Sequence, residues 1–266
     1  MPEGDVVRLT AERLGAALTG APLVRAELRW PSAAGAVLDG ASVTSSAAYG
    51  KHLLTRLDDG RTLHTHLRMD GTWHVHRTGT RDAAARAPDV RAVLATASWT
   101  CLGRSLGMLD LVPTREEGRL LAHLGPDVLG DGFLDAGLAD GVRRLTAQGA
   151  RPLAESLLDQ RPVAGLGTIW TAETLFALRV WPWTPTDTLD AAALGRVLAT
   201  AHRLMARSVQ VGRARGLQAV ERAVHGRARR PCRRCATTIA VGRAGRPPYD
   251  RPGYWCPGCQ RPPAAA

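Results

Sequence analysis

The hydrophobic spacing of the chain changes character along its length. Val6, Val7, Leu9, Leu14 and Leu18 recur at helical spacing and predict an amphipathic helix over residues 4–18. From about residue 22 the pattern becomes short runs with period-2 character. Eight candidate strands follow, at 23–30, 41–49, 52–57, 61–67, 72–77, 90–97, 98–102 and 106–112. Turns fall at Asp58-Asp59-Gly60 and Asp70-Gly71. Strands this short and this closely spaced predict an antiparallel sandwich or barrel. After Pro113 the pattern turns helical. Thr114-Arg115-Glu116-Glu117 reads as a start leading into Leu120, Leu121 and Leu124, and Gly125-Pro126 ends that segment. Further helices are predicted near 133–147, 151–159, 168–179 and 187–210, with residues 125–132 as the link between halves. No internal repeat stands out, and a short Pro/Ala tail occupies 262–266.

Charge adds a partner to this outline. The 266 residues carry a net +11, yet residues 201–266 alone hold 14 arginines against Glu221 and Asp250, leaving −1 for the first 200. A basic end on an otherwise neutral chain points to a polyanion, with a solvated surface as the alternative. No apolar run approaches the ~20 residues of a membrane span, and no signal peptide is evident at the N-terminus, so a cytoplasmic location is expected. Lys51 is the only lysine among 35 basic residues. In so arginine-rich a chain, lysine can mark a place where arginine will not serve, because its compact charge also exchanges protons; chance survival is the alternative.

Three stretches carry candidate chemistry. In Met1-Pro2-Glu3-Gly4-Asp5, removal of Met1 would make Pro2 an N-terminal secondary amine. An α-amino group titrates near pKa ~8, so roughly a tenth is unprotonated at neutral pH and available for nucleophilic attack. An iminium formed on it carries positive charge without a further proton, and Glu3 stands next to it to protonate a leaving group. The same residues also suit an ordinary helix start, with Pro first and acids in the first turn. The second stretch runs from Leu157 to Trp170 and reads as a helix, a tight turn with Gly165 and Gly167, and a second helix. Its glycines allow close backbone approach and its helix start offers free N–H groups to a phosphate, although a plain helical hairpin has the same pattern. The third, Cys232-x2-Cys235-x20-Cys256-x2-Cys259, reads as a structural zinc signature, since four thiolates leave no open coordination position; disulfides are the alternative, disfavoured in a cytosolic chain. Cys101 lies in an apolar stretch and is expected to be buried.

Together the Pro-Glu-Gly start, the Gly50-Lys51 step, Leu157-Leu158-Asp159-Gln160 with Gly165-Leu166-Gly167, His123-Leu124-Gly125-Pro126-Asp127, and Arg251-Pro252-Gly253-Tyr254-Trp255-Cys256-Pro257-Gly258-Cys259-Gln260 resemble the formamidopyrimidine-DNA glycosylase/endonuclease VIII family, in the right order along the whole chain. The start is most similar to the actinobacterial endonuclease VIII-type branch. The resemblance implies a bifunctional glycosylase and abasic-site lyase of base-excision repair. Pro2 would attack C1′, Glu3 would act as general acid, and Lys51 would contact a backbone phosphate and assist the chemistry. Arg251 would grip phosphates flanking a flipped nucleotide, Met69 would fill the hole left in the stack, and Thr168 would stand where many members carry a phosphate-binding Asn. A second N-terminal glutamate common in the family is Val6 here. Extrusion of a base costs a few kcal/mol, part of which an apolar wedge and phosphate clamps offset.

The expected architecture is α+β: a helix plus an eight-stranded antiparallel β-sandwich over 1–124, a helical domain over 130–222 with a helix–two-turn–helix near 151–179, and a zinc finger over 228–262 holding one structural Zn2+. The expected partner is damaged DNA, bound by a monomer. The loop 101–107 carries Arg104 but no aromatic residue to stack on an opposite cytosine, with Leu106 as an aliphatic wedge, which favours oxidised pyrimidines over purines as substrate. The alternatives are a purine-preferring glycosylase, a non-catalytic zinc-dependent DNA-binding protein, and an RNA- or ribosome-binding zinc module.

Overall fold

The computed structural model describes residues 2–262; Met1 and the end of the Pro/Ala tail, residues 263–266, lie outside the described residues. The chain forms two compact units. Pro2 and Val6–His123 make the first, and Glu3–Asp5 join the residues from Leu124 onward in the second.

Helix α1 spans Gly4–Leu18, and eight strands follow: β1 Arg25–Leu28, β2 Val43–Tyr49, β3 His52–Leu57, β4 Arg61–His66, β5 Thr72–Arg77, β6 Val90–Ala95, β7 Trp99–Arg104 and β8 Met108–Pro113. They pair into two four-stranded antiparallel sheets, ordered β1-β6-β7-β5 and β2-β3-β4-β8. Alternation explains the layering. Leu53, Leu57, Leu63 and Leu109 point to one face of the second sheet and join Val7, Ala11, Leu14 and Leu18 of α1 in the core. Each fully buried leucine contributes roughly 1.5–3 kcal/mol. The alternate positions, His52, Arg56, Thr62, His64, His66 and Asp110, belong to the opposite face. There Glu117 accepts Arg56 Nε at 2.8 Å and bonds the Thr62 hydroxyl. The helix expected after Pro113 is therefore shorter than its apolar spacing suggested: a 3-10 turn at Thr114–Glu116, then α2 over Glu117–Leu121.

The second unit is helical, with α3 Leu138–Thr146, α4 Leu153–Leu158, α5 Thr168–Ala177 and α6 Ala191–Arg215. The helix expected over 133–147 is split, because a π-type turn occupies Phe133–Gly137 before α3 begins. Helix α6 is shifted from the expected 187–210: it starts later, where Asp190 caps it by accepting Ala193 N at 2.6 Å, and continues to Gly216, whose φ of 79° ends it. Leu145, Leu153, Leu157, Leu166, Trp170, Leu198 and Met205 form the core. A satellite core of Ala172, Phe176, Val224, Cys232, Ile239 and Cys256 seats the C-terminal hairpin, β9 Ala240–Ala244 and β10 Arg251–Trp255, against α5. Trp183 closes the same junction: its Nε1 donates to Arg243 O at 3.0 Å. No helix among the described residues is long and apolar enough to cross a membrane.

Candidate active site and nucleic-acid interface

The tight turn between α4 and α5 is held open by one side chain. Gln160 donates from Nε2 to Leu158 O and Leu166 O, both at 2.9 Å, and its Oε1 accepts Gly165 N at 3.0 Å. The turn therefore presents its later amides to one point, and Glu3 occupies that point. Glu3 is fully buried. Its Oε1 accepts Ile169 N at 2.7 Å, and its Oε2 accepts Gly167 N at 3.0 Å and Trp170 N at 3.2 Å. Three backbone donors and the positive end of α5 converge on one carboxylate, which suits an anion there. Gly167, not Thr168, is the cap position of α5, and the carboxylate from Glu3 performs the capping. Next to it, Gly4 N donates to Gly165 O at 2.9 Å. The Gly4 Cα is closely packed: a Cβ there would lie 3.1 Å from Met205 Cε and 3.2 Å from Gly165 Cα, so a neighbour would have to give by a few tenths of an ångström. Asp5 completes the anchor by accepting the Ser208 hydroxyl at 2.6 Å. No sequence spacing marks this Asp5–Ser208 pair, 203 residues apart.

Thr168 is 7% exposed, and its hydroxyl lies 3.5 Å from His225 Nε2, at the limit of a hydrogen bond. Burial, then the Arg222 charge, pushes His225 down to about 4, so this imidazole is neutral at physiological pH. Glu173, one turn along α5, fixes the segment that carries His225 by accepting Ala223, Val224 and His225 N at 2.8, 2.9 and 2.8 Å.

The remaining residues singled out from the sequence are distributed between the units. Pro2 is half-buried and belongs to the first unit. Lys51 sits in the turn between β2 and β3, where Gly50 takes a φ of 55°. Its charge acts on His52 and His66, and the His52 ring meets those of His64, His66 and His123; of these four imidazoles only His123 belonged to a quoted motif. The other trace in the sequence is the His64-Thr65-His66 alternation on β4. Met69 is 54% exposed in the turn after β4. Its neighbour Arg68 has a φ of 52°, and Gly71 lies so close to the Leu67 backbone that a Cβ there would be 2.8 Å from Leu67 Cα. Leu106 differs from expectation. It is 3% exposed within the core of the first unit, its Cδ1 close over Gly103, and so does not stand free as a wedge. Arg104 is paired with Asp89 at 3.5 Å. Cys101 is buried, and burial pushes its thiol up to about 12.

The four finger cysteines come together. The Sγ atoms of Cys232, Cys235, Cys256 and Cys259 all lie within 4.8 Å of one another, with 3.4 Å between Cys235 and Cys256 and 4.0 Å between Cys232 and Cys259. Tetrahedral zinc with Zn–S bonds of ~2.3 Å would separate its sulfurs by about 3.8 Å, so the donor set fits that ion. Arg251 opens β10 and is exposed; within this hairpin its Nη1 reaches only the Asp250 carbonyl, at 3.5 Å.

A caged Glu3 at a two-glycine turn, a helical half with a four-cysteine hairpin, and a paired-sheet half define a class of protein. The chain belongs to the formamidopyrimidine-DNA glycosylase family: the family's N-terminal domain matches residues 1–124 and its H2TH domain residues 124–219. Among curated relatives it is 43% identical to the "Probable endonuclease 8 2" of Streptomyces coelicolor, over 99% of this chain and 95% of that one. It is 37% identical to the "DNA-(apurinic or apyrimidinic site) lyase Nei2" of Mycolicibacterium smegmatis, over 98% and 99%. The Lactococcus lactis formamidopyrimidine-DNA glycosylase, solved non-covalently bound to DNA containing an abasic site, shares the fold with a TM-score of 0.83 at 20% identity, covering 98% of this chain and 100% of that chain.

Proposed function

We propose that the protein is a bifunctional DNA glycosylase and abasic-site lyase of base-excision repair, acting on oxidised bases with a preference for pyrimidines. The observation that carries this reading is the buried Glu3 carboxylate, held by the amides of Gly167, Ile169 and Trp170 immediately after Pro2 in the chain. So exact a hold on a carboxylate is more than a helix start requires. With Met1 removed, the Pro2 nitrogen attacks C1′ and the base departs with its bonding pair and a proton supplied through Glu3. Loss of the C1′–O bond to the ring gives an iminium. This electron sink acidifies C2′–H; its loss expels the 3′ phosphate, and a second elimination expels the 5′ phosphate. Lys51 and Arg251 hold strand phosphates, Met69 fills the vacated stack, and one structural zinc on Cys232, Cys235, Cys256 and Cys259 stiffens the hairpin that carries Arg251. Thr168, buried against His225, contributes through the helix start more than through its hydroxyl. The protein acts as a monomer on DNA in the cytoplasm.

The pyrimidine preference rests on the loop between β7 and β8. It offers no aromatic ring and Leu106 is buried, so no stacking side chain there favours cytosine opposite the lesion. Single-turnover excision from matched duplexes tests it. Thymine glycol and 5-hydroxyuracil are released faster than 8-oxoguanine opposite cytosine; the reverse order against every oxidised pyrimidine overturns the preference.

A further inference from the structure

The first unit carries a chain of polar groups that the proposed chemistry does not use. Strand register sets His64 directly across from Asp110, and His52 across from His66. Asp110 Oδ2 lies 3.2 Å from His64 Nδ1, and His64 Nε2 lies 2.8 Å from His52 Nδ1. The hydrogens follow by elimination. An ionised aspartate only accepts, so His64 carries its hydrogen on Nδ1. A neutral His64 then offers a lone pair at Nε2, and His52 must donate from Nδ1. That leaves the lone pair of His52 on Nε2. Among the described residues no hydrogen bond involves that atom, although the residue is only 9% exposed. His66 is the opposite case. Its Nδ1 accepts Arg68 N at 2.9 Å, so the neutral ring already presents an N–H at Nε2. The His52 ring meets those of His66 and His123 edge-on, at centroid distances of 5.0 and 6.1 Å.

We propose that His52, backed by His64 and Asp110, is a proton-coupled phosphate-binding residue: it takes up one proton from solvent when a DNA phosphate settles beside Lys51. The inference rests on the Lys51–phosphate contact proposed above. A lone pair at Nε2 repels a phosphate oxygen, whereas a protonated Nε2 donates to it. Once Nε2 is protonated, the Nδ1 proton can pass to His64 Nε2, leaving a His64 imidazolium against the Asp110 carboxylate. Only this proton moves, and the charge of the complex rises by one.

The groups that set the balance are Lys51 in the β2–β3 turn, His64 and His66 on β4, Arg68 just beyond it, Asp110 on β8, Glu117 on α2, and His123. In the free protein burial pushes His52 down to about 3, helped by His66, His64, His123 and Lys51. Burial pushes His66 to about 4, helped by Lys51 and Arg68. His64 is lowered by burial, against the pull of Asp110 and Glu117. A phosphate brings the missing opposite charge. Because the His52 pKa is higher in the complex than in the free protein, binding tightens as pH falls through the complexed value, and the gain saturates below the free value.

Fluorescence anisotropy with a duplex carrying a tetrahydrofuran abasic analogue tests this, from about pH 7.5 to about pH 5 at fixed ionic strength. Wild-type Kd should fall by about threefold or more per pH unit in the lower part of the window, below a ceiling of about tenfold for one linked proton. Calorimetry in two buffers of different ionisation enthalpy should show matching proton uptake. His52→Gln, whose amide donates without protonation, should lose both effects. Nitrogen-15 spectra should show His52 Nε2 without a proton in the free protein and carrying one in the complex, with the added charge on the His52–His64 pair. The same pH dependence in H52Q as in wild type, or a His52 Nε2 still without a proton in the complex, overturns the proposal. Lys51→Ala separates the two readings. An unchanged salt slope refutes the Lys51–phosphate contact itself. A slope lowered by about one, without His52-dependent proton uptake, refutes the relay alone.

Discussion

Gly167 sets the position of Glu3, and replacing it with alanine should disable base excision while leaving the protein able to hold DNA. A Cβ on Gly167 would lie 2.5 Å from both Cδ and Oε1 of Glu3 and 2.7 Å from its Cγ. The Gly167 backbone is extended, at φ −135° and ψ −157°, so an added methyl brings no left-handed strain and the clash alone decides the outcome. The carboxylate cannot yield cheaply, because three amides at 2.7–3.2 Å hold it and no part of Glu3 reaches solvent. A retreat of about 1 Å breaks at least one charge-assisted bond worth about 1.5–3 kcal/mol. Adding the strain of overpacking, about 1–3 kcal/mol, Gly167→Ala should cost about 2–4 kcal/mol of stability after partial relaxation. A catalytic group displaced by about 1 Å commonly loses about 100-fold in rate. The assay is single-turnover release of thymine glycol, run beside the Kd for an uncleavable abasic duplex and a urea denaturation curve. Excision should fall about 100-fold with Kd changed by less than about threefold. A folded G167A protein that excises within about twofold of wild type would refute the claim that the amide cage positions Glu3 for chemistry.

Other perturbations follow from the same geometry. Lys51→Ala should slow lesion excision more than the cutting of preformed abasic sites, as strand cleavage assays with both substrates will show; unchanged rates on both would leave Lys51 without a role. Metal analysis should find one zinc per chain, and Arg251→Ala should weaken duplex binding and lower the salt slope by about one unit; active protein without zinc would contradict the finger's role. Because burial pushes Cys101 up to about 12, an alkylating reagent should leave it unmodified in the folded protein and label it after denaturation, and rapid native labelling would contradict its placement.

The fold was legible where the apolar pattern had a clear period. Helix α1 and strands β2 to β8 lie where the spacing put them, because alternate leucines on the strands face one helix. The pattern was weaker where other forces set the ends. Helix α6 runs on because Asp190 caps it and nothing interrupts it before Gly216. The expected helix over 133–147 is divided because Phe133–Gly137 takes a π-type turn entered through Gly132 at a φ of 71°, a backbone feature no hydrophobic count registers. At the site, spacing alone collected the four cysteines. The Glu3 cage could not be read that way, since it joins Glu3 to amides 164 to 167 residues away and backbone amides have no letter in a sequence. The imidazole chain was missed for a related reason: its members are ordinary alternating strand residues until register sets His64 opposite Asp110. Leu106 was misjudged because a loop leucine reads the same whether it faces solvent or the core.

Covalent catalysis by the amine of Pro2 can be read out by borohydride trapping on abasic DNA. Protein verified by mass to begin at Pro2 should give a stable one-to-one adduct with abasic DNA, and peptide mapping should find the sugar remnant on the Pro2 nitrogen. Protein that keeps one residue ahead of Pro2, so that this nitrogen is a tertiary amide, should give none. Absence of an adduct from the Pro2-initiated protein, or equal trapping by the two forms, would show that the Pro2 amine is not the nucleophile.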